Sequence, residues 1–196
     1  MNQENKREIL FLICKYSLRS LFLLAFFYVN KSLADNCQNI GELGTSGSCN
    51  GKLIVNRENL LNAISDGSYA IDGPNQNGGT ISYTFAEGGS GDIYTGNITD
   101  FSQLFKGKKT FNQNIGYWNT SNAKNMSGMF SNARKFNQDI SNWDVSNAKV
   151  ISSMFEGTIN FRQIMCSSKW QHAKDSTAVS SYNAFEGSRG GIFCCT

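Results

Sequence analysis

The chain has 196 residues, with 18 basic and 15 acidic side chains and a formal net charge of +3. The first 34 residues hold five of the basic and two of the acidic groups, so residues 35–196 carry 13 of each and are formally neutral. The sequence pI near 8.5 therefore belongs to the N-terminus and offers no support for nucleic-acid or anionic-membrane binding, while the remaining 162 residues suit one domain.

Residues 1–34 read as an export signal. Lys6, Arg7, Lys15 and Arg19 charge the front, Leu21 to Val29 form an apolar core, and Ser32-Leu33-Ala34 supplies a small-x-small cleavage site. A membrane span needs about 20 apolar residues, and lengthening this core backwards would bury Lys15 and Arg19. The expected mature chain starts at Asp35 and is exported, to a cell surface, a periplasm or the medium. Export makes disulfides the default for the five remaining cysteines, Cys37, Cys49, Cys166, Cys194 and Cys195. The expected pairs are Cys37 with Cys49, and Cys166 with one of the adjacent Cys194 and Cys195. The odd count leaves one thiol, either buried and inert or able to join two chains in a disulfide-linked homodimer.

Residues 35–96 read as an N-terminal cap. Lys52 to Val55 form a short strand, and Asn56 is placed to cap a helix with Val55 and Leu60 as its hydrophobic staple. Leu60, Leu61, Ala63 and Ile64 give that helix an apolar stripe, and Gly67 ends it in the left-handed region. Within the glycine-rich insertion at 72–95, Thr80 to Phe85 alternate as a strand with Ile81, Tyr83 and Phe85 on one face. Gly88 to Asp92 approach a calcium-binding glycine pattern, but Asp92 falls one position early and the motif needs stacked copies, so a loop is expected.

From 97 to 169 the sequence repeats every 25 residues. Phe111-Asn112-Gln113 recurs at Phe136 and, as Phe-Arg-Gln, at Phe161; Phe105, Phe130 and Phe155 keep the same step. The segments FNQNIGYWNTSNAKNMSGMF at 111–130 and FNQDISNWDVSNAKVISSMF at 136–155 share 12 of 20 positions without a gap. Met126, Met129, Phe130 and Ala133 have the spacing of one helix face, and Phe136 to Trp143 reads as a turn into an extended segment. The expectation is an α/β fold: a short leucine-rich-repeat-like solenoid of 25-residue coils, each a short helix plus a short strand, with N- and C-terminal caps. Asn122 and Asn147 are expected to cap the helices, and Gln113, Gln138 and Gln163 to satisfy turns. Residues 170–196 form the second cap, where the period decays: Trp170 follows Trp143 by 27, and Asn183-Ala184-Phe185 follows its counterpart by 30.

The phrase F-N-Q-D-I-S-N-W-D-V-S-N-A-K followed by S-x-M-F resembles the repeat of the BspA family of leucine-rich-repeat surface proteins, over roughly residues 97–165. The resemblance implies an exported or surface-attached protein that works by binding, and it brings no catalytic residues. The array is shorter than in many members, and the insertion at 72–95 has no counterpart.

No reaction is announced. His172 lies between Cys166 and Asp175, but without a glycine-rich oxyanion turn. Asp139 and Asp144 are answered by Asn114 and Asn119 one repeat earlier, so no carboxylate ladder exists to hold a metal. The expectation is a non-enzymatic surface or secreted module that binds a protein or glycan through one broad face of the repeats, with no cofactor and no nucleic acid. Which face is open, and Lys124, Arg134, Lys135 and Lys149 are the first exposed positions to test. A structural envelope or inter-chain assembly element is the alternative, and an exported enzyme comes last.

Overall fold

The computed structural model describes residues 37–45, 47–86, 92–175 and 179–191. The expected signal at 1–34, the start at Asp35, the glycines Gly88 to Gly91, and Cys194 with Cys195 lie outside the described residues. Strand β1 (Leu53–Ile54) leads through Asn56 into helix α1 (Arg57–Ser65). Asn56 and Asn59 form a reciprocal capping box, with the Asn59 N–H donating to Asn56 Oδ1 at 2.9 Å and the Asn56 N–H donating to Asn59 Oδ1 at 3.0 Å. Val55, Leu60, Ala63 and Ile64 are buried, whereas Leu61, expected in the stripe, is 39% exposed because its position rotates it off that face. Gly67 follows the helix at φ +78°, a conformation glycine adopts without penalty.

Strand β2 (Ala70–Pro74) pairs antiparallel with β3 (Thr80–Thr84), and β1 pairs parallel with β4 (Ile93–Tyr94). Asn75 Oδ1 accepts from the N–H groups of Asn77 and Gly79, both at 2.9 Å, and so closes the hairpin. Tyr83 and Phe85 are buried in the main core and Ile81 is packed against it. Cys37 and Cys49 form a disulfide that packs with Ile54 and Tyr94 in a separate small cluster.

The expected α/β leucine-rich-repeat-like solenoid, with a short helix and a short strand in each 25-residue coil, is not what forms. Among the described residues the two small sheets and α1 precede residue 97, α2 (Ser168–Asp175) begins at the end of the repeats, and 97–167 hold turns and single bridges. The result is an aromatic-rich compact fold with few regular elements. The physical reason lies in where the backbone N–H groups point. From Met126 to Asn132 the even-numbered groups donate into the following repeat, to the carbonyls of Val150, Ser152, Met154 and Glu156 at 2.7–2.9 Å. The odd-numbered groups of Met129, Ser131 and Ala133 close local turns onto Met126, Gly128 and Phe130. A helix would commit every one of them to the carbonyl four residues back. The apolar spacing read as helical is thus met by consecutive turns that need positive φ, taken by Gly128 (59°) and Asn132 (58°). The segment after Phe136 is likewise bent: Asp139 Oδ1 accepts from the Ser141 N–H at 2.9 Å.

The period survives as a register of contacts. Phe105, Phe130, Phe155 and Phe185 stack at ring separations of 5.1–5.5 Å, and Phe111, Phe136 and Phe161 at 5.8–5.9 Å. The two columns face each other at 3.9–4.2 Å, within 12° of parallel. Offset stacking of this kind adds to the area each ring removes from water. Tyr69 and Phe85 pack on the first rings, at 5.1 Å from Phe111 and 6.4 Å from Phe105.

Two places in the turn ribbon are left-handed in every copy: Gln103, Gly128, Ser153 and Asn183, at φ 55–59°, and Gly107, Asn132, Gly157 and Gly187, at φ 58–72°. Non-glycine residues are strained there. Ser153→Gly is expected to raise stability by up to about 1 kcal/mol, read as a higher urea midpoint at unchanged m; a loss would show that the serine side chain stabilises its own turn.

Candidate interaction surface

The repeated polar residues are largely consumed by the backbone. Asn137 donates its N–H to Asn112 Oδ1, and Arg162 donates its N–H to Asn137 Oδ1, both at 2.8 Å. Gln138 Nε2 reaches the Asn112 carbonyl at 2.9 Å, and Gln163 Nε2 the Asn137 carbonyl at 2.8 Å. Asn122 and Asn147, expected as helix caps, have no helix to cap. Their Nδ2 groups donate at 2.7 Å to the carbonyls of Gly96 and Ser121, 26 residues back. Trp143 Nε1 donates to the Ile115 carbonyl at 3.1 Å and Trp170 Nε1 to the Ile140 carbonyl at 3.2 Å. Trp170 is therefore the structural counterpart of Trp143 in spite of its irregular spacing, and the first residues of α2 make up the difference.

The Asp/Asn exchanges have a turn explanation. Asn119 and Asp144 each accept the N–H of the serine two residues on, at 3.1 and 3.0 Å, through Oδ1. Only an oxygen is required, so amide and carboxylate serve equally. Asp144 also meets Lys169 Nζ at 3.0 Å. Burial pushes its carboxyl up, but the hydrogen bonds from Ser146 and the Lys169 ammonium outweigh that and hold it below the usual carboxylate range. A lowered folded-state pKa contributes stability above the unfolded value, near 3.9, that is lost as pH falls through the folded one. Asp144→Asn should keep the turn, as Asn119 does, and cost less than about 1 kcal/mol at neutral pH because the ion pair is partly exposed. Urea unfolding should show that cost vanishing in acid; an undiminished cost there would mean that the turn itself had failed.

Lys124, Arg134, Lys135 and Lys149 fall into two rows rather than one face. Lys124 and Lys149 adjoin where the ribbon 125–133 begins, with the Lys149 N–H on the Lys124 carbonyl at 2.8 Å. Lys109, Arg134 and Lys135 adjoin where it ends, with the Lys135 N–H on the Lys109 carbonyl at 3.1 Å. The two rows are separated by the length of the ribbon, and the sequence alone had grouped them.

Arg57 performs a role that sequence reading missed. Its guanidinium donates to the carbonyls of Asp100 and Ser102 at 3.0 and 2.8 Å. Their counterparts one repeat later, on Asn125 and Ser127, accept the N–H groups of Phe101 and Gln103. Arg57 therefore stands in for the backbone of a preceding repeat. No local signal marks it, since its partners lie 43 and 45 residues away.

Of the expected disulfides, Cys37–Cys49 is present. Cys166 is exposed and free, and its expected partners lie outside the described residues. His172 is exposed on α2, and no hydrogen bond joins it to Cys166 among the described residues. No group of three or more metal-ligating side chains occurs among them either.

Turns joined side by side over two columns of phenylalanine, with their amides spent on the backbone, define a repeat protein whose free chemistry lies in its exposed rows. A family model for DUF285, described as a Mycoplasma protein of unknown function, matches residues 81–189, and the chain belongs to that family. The match supports the coarser half of the resemblance seen in the repeats, a surface-protein-like family, and carries nothing specific to BspA. No curated protein and no solved structure matches the chain.

Proposed function

We propose that the chain is an exported, non-enzymatic surface or secreted protein that binds a macromolecular partner, a protein or glycan at a cell surface. The observation that carries this reading is how the polar groups are allocated. Asparagines, glutamines and aspartates that could serve chemistry are committed to turns and to neighbouring repeats. The uncommitted side chains instead stand in rows along the surface, and a row of repeated groups suits an extended partner. Membership of a surface-protein-like family supports the same reading. Labelled protein added to intact source cells should bind saturably and be displaced by unlabelled protein. Non-saturable uptake, or a turnover activity abolished by His172→Ala, would sink the proposal.

The exposed, free Cys166 favours a second reading, an assembly element joined through disulfides. A covalent dimer on a non-reducing gel, lost in Cys166→Ser, would support it.

A further inference from the structure

We propose that the basic row at the end of the turn ribbon is a binding site for a linear polyanionic glycan, of the sulfated or carboxylated class. This rests on the binding role above and names the chemistry of the partner. Windows 107–113, 132–138, 157–163 and 187–191 contain six lysines and arginines and no aspartate or glutamate. In a stretch of chain with equal numbers of acids and bases, such segregation builds a local positive field. Lys108 is spent on the Ile64 carbonyl at 2.7 Å. The other five, Lys109, Arg134, Lys135, Arg162 and Arg189, are exposed. None of them takes part in the ion pairs of the described residues, which are Arg57–Asp100 and Lys169–Asp144.

Backbone contacts place these windows side by side. The Lys135 N–H meets the Lys109 carbonyl at 3.1 Å, the Asn160 N–H meets the Arg134 carbonyl at 3.3 Å, and the Arg189 N–H meets the Phe161 carbonyl at 3.0 Å. The phenylalanines beneath step by 5.8 and 5.9 Å, so successive windows are spaced at that order, and the cations take different places within them: Lys109 and Arg134 share a register, Lys135 is the next residue, and Arg162 stands where Asn112 and Asn137 do. Glu156 and Glu186 lie beyond Gly157 and Gly187 on one side, and Asp139 lies beyond Gln138 on the other. The positive strip is therefore narrow, shaped for a chain of anions rather than for an area. Asn112 stands exposed along it; its Oδ1 is held by the Asn137 N–H, and its Nδ2 is able to donate to hydroxyl groups.

Two other polyanions fit less well. Single-stranded nucleic acid is held by exposed aromatic platforms, and Phe111, Phe136 and Phe161 of these windows are buried. Membrane-surface binding couples basic groups to an apolar face that inserts, and the strip offers one exposed large aliphatic, Ile159.

The test compares the wild type with two double variants of equal charge change, Arg134→Glu/Lys135→Glu and Lys124→Glu/Lys149→Glu, each with an unchanged circular dichroism spectrum. Probes are heparin, desulfated heparin, duplex DNA, and phosphatidylcholine vesicles containing phosphatidylglycerol. Wild type should bind heparin over duplex DNA and vesicles, with desulfated heparin, which keeps its carboxylates, bound more weakly for its lower charge. Heparin affinity should fall on the order of 100-fold between 50 and 200 mM salt if about four contacts release counterions. The Arg134/Lys135 variant should lose roughly tenfold or more while the Lys124/Lys149 variant stays within about twofold, since loss of two site contacts, not of net charge, sets the effect. Equal losses in both variants, absence of heparin binding, or preference for DNA or vesicles would overturn the assignment. An Arg134/Lys135 variant that loses heparin yet attaches to source cells like the wild type would overturn it too, and would leave the binding role standing. Wild-type protein that binds heparin but never attaches to those cells would instead defeat the binding role.

Discussion

Phe136→Ala is expected to lower the unfolding free energy by about 3–5 kcal/mol, the range for an aromatic ring removed from a packed core. Phe136 is fully buried, stacks on Phe130 at 3.9 Å, and lies between Phe111 and Phe161 at 5.8 and 5.9 Å. No single side-chain shift can refill that site, because its neighbours are held by stacks of their own. Lys149→Ala, at an exposed position, should cost under about 0.5 kcal/mol. Urea unfolding measures both. Comparable small losses would mean that the phenylalanine columns contribute little cohesion and that stability resides in the hydrogen bonds between repeats.

Arg57→Ala should cost about 2–3 kcal/mol. Its guanidinium makes two charge-assisted bonds, each worth about 1.5–3 kcal/mol, and water at the partly exposed side chain recovers a share of them. The approach to Asp100 Oδ2, at 3.8 Å, adds little at that exposure. Arg57→Lys separates charge from shape: an ammonium keeps the charge but cannot span two carbonyls as a planar fork does, so most of the loss should remain. Full rescue by lysine would show that the charge near Asp100 matters and the fork does not. Both substitutions should also speed hydrogen exchange at Phe101 and Gln103, whose N–H groups pair with the next repeat.

The N-terminal elements were largely legible because their signals are local. Asn56, Val55 and Leu60 announce the start of α1 within five residues, and Gly67 announces its end. The error was Leu61, included in a stripe that only a contact partner could delimit. The C-terminal irregularity was visible as a broken count. That Trp170 nonetheless occupies the place of Trp143 required seeing α2 fold the extra residues away.

Within the repeats, the period of 25 and the identity of the buried residues are properties of the chain alone. Any arrangement that brings like positions together must line up Phe105 with Phe130 and Phe111 with Phe136, since burying those rings is the dominant favourable term. The local conformation is a different matter. The spacing of Met126, Met129 and Phe130 is compatible with a helix, and isolated helices so short are marginal. What tips the balance is the neighbouring repeat, which offers carbonyls at two-residue intervals to every second N–H and so makes a ribbon of turns the better-satisfied state. The same limit applies to the surface: composition reports equal numbers of acids and bases, whereas the tertiary structure decides that Lys109, Arg134, Lys135, Arg162 and Arg189 share one strip. Charge is additive along a sequence, but a field depends on distances that only packing sets.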